Sequence, residues 1–93
     1  MAKKLEEDFS LICKALGHPA RLQIVRTLLA EEKCMSGDIA KTFDLAPSTV
    51  SEHLRILKEA SLISSAAEGT CRCYCVNRDT LNYWKSMFKE LNL

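Results

Sequence analysis

The stretch from Pro47 to Ala60, Pro-Ser-Thr-Val-Ser-Glu-His-Leu-Arg-Ile-Leu-Lys-Glu-Ala, most constrains how this chain folds. Val50, Leu54 and Leu57, followed by Ser61, recur at helical spacing, and the three apolar side chains form a stripe that must face a core. Ser48, Glu52, Arg55 and Glu59 point the other way, with Thr49 and Ser51 on the shoulders. Pro47 suits a first helical turn, where its missing N–H costs nothing. Hydroxyls and unpaired N–H groups at a helix start can bind phosphates or base edges. The recognition helix of a helix-turn-helix docks on DNA in this way. An ordinary amphipathic surface helix has the same pattern, so the flanking residues must decide between the two.

The chain has 93 residues, of which 47% are hydrophobic. That is enough for one small domain with a modest core, a size class that often gains stability from a partner chain. No apolar run has the length of a membrane span, and the start, Met1 to Asp8, is charged and lacks a signal-peptide apolar region. The cytoplasm is the expected compartment. The net charge of +1 gives no bulk electrostatic footprint for nucleic acid. Within 36–78, Lys41, Arg55, Lys58, Arg72 and Arg78 are balanced by Asp38, Asp44, Glu52, Glu59 and Glu68. DNA binding by this chain would have to rest on local geometry and on the doubled contacts of a dimer.

In chain order, residues 4–16 read as a helix whose seam is Leu5, Phe9, Ile12 and Leu16, with Cys13 beside it. Gly17 ends it and His18-Pro19 redirects the chain. A second helix is predicted over about 19–31, where Leu22, Ile24, Val25, Leu28 and Leu29 cover a wide arc. After a short connection, Ser36 is placed to cap a short helix from Gly37 to Phe43. Asp44-Leu45-Ala46 makes the turn into the Pro47 helix, although it lacks glycine and Ala46 caps poorly. Residues 62–67 and 71–76, joined at Glu68-Gly69-Thr70, read as a β-hairpin, the wing. Asn77 can cap a last helix over about 78–92, whose seam is Leu81, Trp84, Phe88 and Leu91, widened by Tyr83 and Met87.

The expected fold class is mainly α with a small β-hairpin. It is a single winged helix-turn-helix domain over 1–93, in the order α-α-α-α-β-β-α. Two seamed terminal helices exceed what so short a chain needs for its own core. They are expected to pair across a twofold axis as a homodimer, through Leu5, Phe9, Ile12, Leu81, Trp84, Phe88 and Leu91. In the alternative, both helices merely close the monomer core.

Three stretches carry a family resemblance: Lys14-Ala-Leu-Gly-His-Pro-Ala-Arg-Leu-Gln-Ile-Val, Ser48-Thr-Val-Ser-Glu-His-Leu-Arg-Ile-Leu-Lys-Glu-Ala-Ser-Leu-Ile, and a Gly-containing hairpin ending Tyr74-Cys75-Val76-Asn77. Together they resemble the ArsR/SmtB family of bacterial repressors over nearly the whole chain. The resemblance implies a winged-helix homodimer on a palindromic double-stranded DNA operator, released by an inducer that is often a metal or metalloid ion. By motif position it assigns Ser48, Thr49, Ser51 and His53 to the recognition helix and Arg72 to the wing strand. Glu52 and Arg55, outward on the same helix, complete the expected DNA-binding set. The sequence also departs from the family. The arsenic-sensing branch typically carries Cys-Val-Cys where this chain has Cys34-Met35-Ser36, so one thiolate of that site is missing. The zinc-sensing branch uses Asp/His pairs on the last helix, which here has Asp79 but no His.

Five cysteines, an odd number with no export signal, argue against a disulfide framework. Cys71, Cys73 and Cys75 alternate and so share one face of the wing strand, with Arg72, Tyr74 and Val76 on the other. Tyr74 and Val76 are expected to pack on the core and the thiols to face outward. Thiolates suit thiophilic ions such as As(III), Cd(II) or Zn(II). Residues i and i+2 lie about 6.5–7 Å apart on a strand, so one ion would need local distortion or a thiol from Cys13 or Cys34. The alternatives are a redox or persulfide switch, and cysteines that sense nothing. His18 and His53 read as structural or phosphate-contacting groups, and the Trp84 stripe as core or interface. No nucleophile–base–orienter set and no glycine-rich phosphate loop points to an enzyme. A different class of function, a winged-helix protein-interaction module without DNA binding, also fits the near-neutral charge.

Overall fold

Gly17 separates the first two helices, α1 (Ala2–Leu16) and α2 (Pro19–Ala30). A Cβ at position 17 would stand 3.1 Å from the Cys13 carbonyl oxygen, so any side chain there would crowd the end of α1. The computed structural model describes residues 2–30, 35–36, 42–68 and 71–93. Beyond α2 come β1 (Met35–Ser36), α3 (Pro47–Glu59), β2 (Ile63–Glu68), β3 (Cys71–Val76) and α4 (Arg78–Glu90). The expected short helix from Gly37 lies outside the described residues, apart from Thr42 and Phe43, which are helical. This is the anticipated winged-helix architecture, mainly α with a small antiparallel hairpin.

The sheet differs from the two-stranded expectation. Its order is β1-β3-β2, all antiparallel, so the cysteine-bearing strand is central. Met35 pairs with Tyr74 and Ser36 with Cys73 on one side, while Ile63 pairs with Val76 and Ser65 with Tyr74 on the other. A two-residue strand carries too little periodicity to be read from sequence.

Two turns work without glycine, the expected one at Asp44 and an unexpected one at Ser61. Asp44 takes a φ of 52°, a left-handed conformation that aspartate tolerates. Ser61 has a φ of 60° just past the C-cap of α3. There the Leu62 N–H donates to the Leu57 carbonyl at 3.0 Å and the Ser61 N–H to the Lys58 carbonyl at 2.9 Å. This double bond pattern closes the helix and drives Leu62 into the core. Asn77 caps α4 as expected, its side-chain oxygen accepting from the Thr80 N–H at 3.2 Å.

The core centres on Ile24, Leu57, Leu62 and Met87, all fully buried. Leu22, expected in the core arc of α2, is exposed at the edge of that arc. On α4 the inward phase runs through Leu81 and Met87, with Phe88 turned outward. The seams of α1 and α4 meet within one chain: Phe9, Trp84 and Phe88 form a ring cluster, with Phe9–Phe88 centroids 4.9 Å apart. Two residues expected at a dimer interface therefore need correction, because Ile12 and Leu81 are buried in the chain's own core. Leu5, Phe9, Trp84 and Leu91 are partly buried against it, while Tyr83 and Phe88 keep exposed apolar surface. Among the described residues, no helix is long and apolar enough to cross a membrane.

Candidate nucleic-acid interface

The inward stripe of α3 falls where its spacing requires, with Val50, Leu54 and Leu57 buried. Ser48, Thr49, Ser51, Glu52 and Arg55 are exposed on the opposite side. No side chain caps the first turn at Ala46, and the unpaired N–H groups behind Ser48 and Thr49 favour an anion there. His53, expected among the DNA contacts, is a correction: it is only 7% exposed. Its position is three residues past Val50 and one before Leu54, which puts it on the packed side of the helix.

Arg55 is held along the helix surface by two carboxylates. Its Nε donates to Glu52 Oε2 at 3.0 Å, its Nη2 to Glu52 Oε1, and its Nη1 to Glu59 Oε1 at 2.7 Å. The hydrogen bond from Arg55 holds the Glu52 carboxyl below its ordinary range, and the two acids push the Arg55 guanidinium above its own. All three side chains are more than half exposed, so solvent screens the energy of these pairs. The charges are nevertheless locally neutralised on the outward face.

Arg72 on β3 is exposed and donates from Nη1 to Ser65 Oγ at 3.4 Å. It lines a cleft of about 430 Å³ between α3 and the wing, together with Ser51, Leu54, Arg55, Lys58, Glu59 and Tyr74. Lys58 was absent from the sequence-based set, although its exposed position one turn past Arg55 was readable from the helical spacing. The cleft thus joins the hydroxyl-bearing helix to the wing through three cations and one acid.

Behind α3, the Arg21 guanidinium of α2 reaches His53 Nδ1 at 3.3 Å and the Ala15 and Lys14 carbonyls at 2.7 and 3.4 Å. The His18 and His53 rings lie 4.7 Å apart, centre to centre. Burial pushes His53 below the ordinary histidine range, and His18 and Arg21 add to this, while Glu52 opposes it.

The cysteines are distributed differently from the sequence expectation. Tyr74 and Val76 do pack against the core, but Cys73 and Cys75 are half-buried in the central strand and do not stand outward. Cys75 is disulfide-bonded, whereas Cys13 and Cys73 are thiols. The Cys71 side chain and Cys34 lie outside the described residues. A sulfur in a disulfide is not a thiolate ligand, so a site of Cys71, Cys73 and Cys75 on one ion does not fit this state. Among the described residues, no three His, Cys, Asp or Glu side chains come together for a metal.

A hydroxyl-bearing exposed helix beside basic residues, followed by an antiparallel hairpin whose second strand also pairs with β1, defines a winged-helix DNA-binding fold. Residues 18–65 match the profile of the bacterial regulatory protein arsR family. The chain is 33% identical over 82 residues to the arsenical resistance operon repressor of Bacillus subtilis (strain 168), covering 88% of this chain and 74% of that protein. It is 34% identical to the transcriptional repressor SdpR of the same organism, covering 77% of this chain and 83% of that one. A crystal structure of an ArsR family transcriptional regulator superposes with a TM-score of 0.76 at 20% identity, over 94% of this chain and 89% of that one. The chain belongs to the ArsR family and is a DNA-binding winged-helix regulator.

Proposed function

We propose that the protein is a transcriptional repressor that binds a palindromic operator as a homodimer and is released by chemistry at its thiols. The observation that carries this reading is the exposed Ser48–Thr49–Ser51 start of α3, opening onto the cleft shared with Arg72 of the wing. Residues 1–93 form one winged-helix domain in this reading, and the partner chain packs on the α1–α4 side, where Tyr83 and Phe88 leave apolar surface exposed. The name of the Bacillus subtilis arsenical resistance repressor supports a thiophilic inducer such as As(III), Cd(II) or Zn(II), taken by cysteines of β3 with Cys34 or Cys13.

A second reading of the inducer, a redox or persulfide signal, is favoured by the disulfide at Cys75. Cys13 and Cys73 are thiols, which leaves Cys34 and Cys71 as partners. Cys71 lies about 13 Å along the same strand, beyond disulfide reach. In this reading two thiols lose two electrons and two protons to an oxidant such as a peroxide or a polysulfide, and a reducing thiol reverses the step.

The test is titration of a palindromic DNA, selected from a random pool, with reduced protein, repeated with As(III), Cd(II), Zn(II) and a peroxide. Salt-sensitive specific binding lost with one ion supports the ion reading, and loss only with peroxide supports the disulfide reading. Specific binding unaffected by all of them discards thiol sensing. No specific binding in any condition would instead indicate a protein-interaction module.

A further inference from the structure

The back of α3 is fastened by hydrogen bonds that involve two histidine rings. A guanidinium has donors only, so the 3.3 Å contact from Arg21 Nη1 requires a lone pair on His53 Nδ1. His53 is therefore neutral, with its proton on Nε2. The Ala20 N–H donates to His18 Nδ1 at 3.1 Å and so caps the first turn of α2. Arg21 simultaneously binds the Ala15 and Lys14 carbonyls in the last turn of α1, where a cation also suits the helix dipole. One side chain thus ties α1 and α2 to the packed side of α3.

We propose that Arg21 and His53 are positioning residues that hold α3 in its DNA-reading pose, and that the hold exists only while the His53 imidazole is neutral. A proton on His53 removes the acceptor and sets a second cation against Arg21. Glu52 is the carboxylate nearest His53 along α3, and its oxygens are engaged by Arg55. The groups that face His53 from the packed elements are thus His18 and Arg21 from the α1–α2 junction and α2, and Glu52 from its own helix. Burial keeps His53 neutral near neutral pH and lets acid release it. Operator binding consequently has an acid limb on which affinity falls, even though added protons elsewhere on a DNA-binding surface strengthen phosphate attraction.

This inference rests on the repressor reading, and the experiment separates the two. Affinity for the selected palindromic DNA is measured from about pH 8 to about pH 5, the range in which histidines titrate. Wild type is compared with His53→Asn, which places a non-titrating amide oxygen near the Nδ1 position, and with Arg21→Met. The expected wild-type slope approaches a tenfold loss per pH unit, roughly one linked proton. His53→Asn keeps wild-type affinity at the alkaline end and flattens the limb, while Arg21→Met binds more weakly throughout. Nitrogen NMR of the imidazoles supplies a readout independent of DNA, and it should show the Nε2–H tautomer of His53 persisting below the ordinary histidine range. Wild type that binds DNA with no acid limb, or with affinity rising in acid, overturns the inference and leaves the repressor reading intact. Wild type that binds no DNA at the alkaline end overturns both. Should Arg21→Met fail to fold, the His53→Asn profile decides alone.

Discussion

The indole N–H of Trp84 points at the sulfur of Cys13, 3.4 Å away across the α1–α4 seam. Phe9 lies against the same indole, with centroids 6.0 Å apart. Trp84 is the only tryptophan in the chain, and thiols quench indole emission, so its fluorescence reports on this contact. Cys13→Ala should brighten the folded-state emission and lower stability by about 1 kcal/mol, the scale of one polar contact plus a small loss of packing. Urea unfolding followed through Trp84 measures both. Unchanged emission would mean that the sulfur does not touch the ring in solution.

Ser61 holds a left-handed backbone at the exit of α3, a conformation that costs a residue with a Cβ about 1–2 kcal/mol. Its side chain is exposed, so Ser61→Gly relieves that cost without opening a cavity. A gain of about 0.5–1 kcal/mol is expected after the larger entropy of an unfolded glycine is subtracted. Ser61→Val should lose at least as much. Chemical denaturation midpoints of the two variants must move in opposite directions.

Arg55 is engaged by Glu52 and Glu59 and is not available to a phosphate without leaving them. Glu59→Gln and Glu52→Gln each remove one negative charge from the outward face and loosen that engagement. Each should tighten DNA binding at low salt, and every additional phosphate neutralised steepens the dependence of log K on log salt by about 0.9. Fold stability should barely move, because exposed ion pairs contribute about 0–1 kcal/mol. Affinity measured at several salt concentrations tests this, and weaker binding by either variant would show that the acids themselves take part in DNA contact.

The depressed basicity of His53 also makes folding pH-dependent in the absence of DNA. Its ordinary value is 6.5 and the folded value is lower, so between the two the unfolded chain carries a proton that the folded chain excludes. This contribution is complete above about pH 6.5, falls as the pH drops below it, and levels off beneath the folded value. Glu52 acts in the same sense at lower pH: its carboxyl is depressed, so its contribution is full above about 4.5 and declines in acid. Denaturation midpoints across this range should fall for wild type and fall less for His53→Asn between pH 6.5 and the folded value.

How far the sequence anticipates this structure depends on how local each determinant is. The Val50, Leu54 and Leu57 stripe, the Gly17 break and the Asn77 cap were all legible, because each is fixed by neighbours within one helical turn. His53 was misplaced because an imidazole is tolerated on either face, and only Arg21, distant in sequence, supplies the partner that buries it. The inward turn of Met87 in place of Phe88 follows from how α4 meets α1, which a heptad-like spacing does not specify. The left-handed turns at Asp44 and Ser61 carry no glycine signal. β1 was invisible for the same reason of distance: two residues become a strand only because β3 offers them an open edge.

That edge also shapes how the molecule is assembled. The β2–β3 hairpin joins near neighbours, whereas β1 meets β3 across about forty residues of chain. Ordered formation would place the local hairpin first and the β1 closure late, since long loops must be closed before they yield contacts. Once closed, the β1–β3 pairing makes the chain between β1 and β3, α3 included, a loop clasped at both ends by one strand. Opening of this segment then requires the sheet to unzip, so the amide hydrogens of α3 and β3 should exchange with solvent as one cooperative unit, slower than those of the last residues after α4.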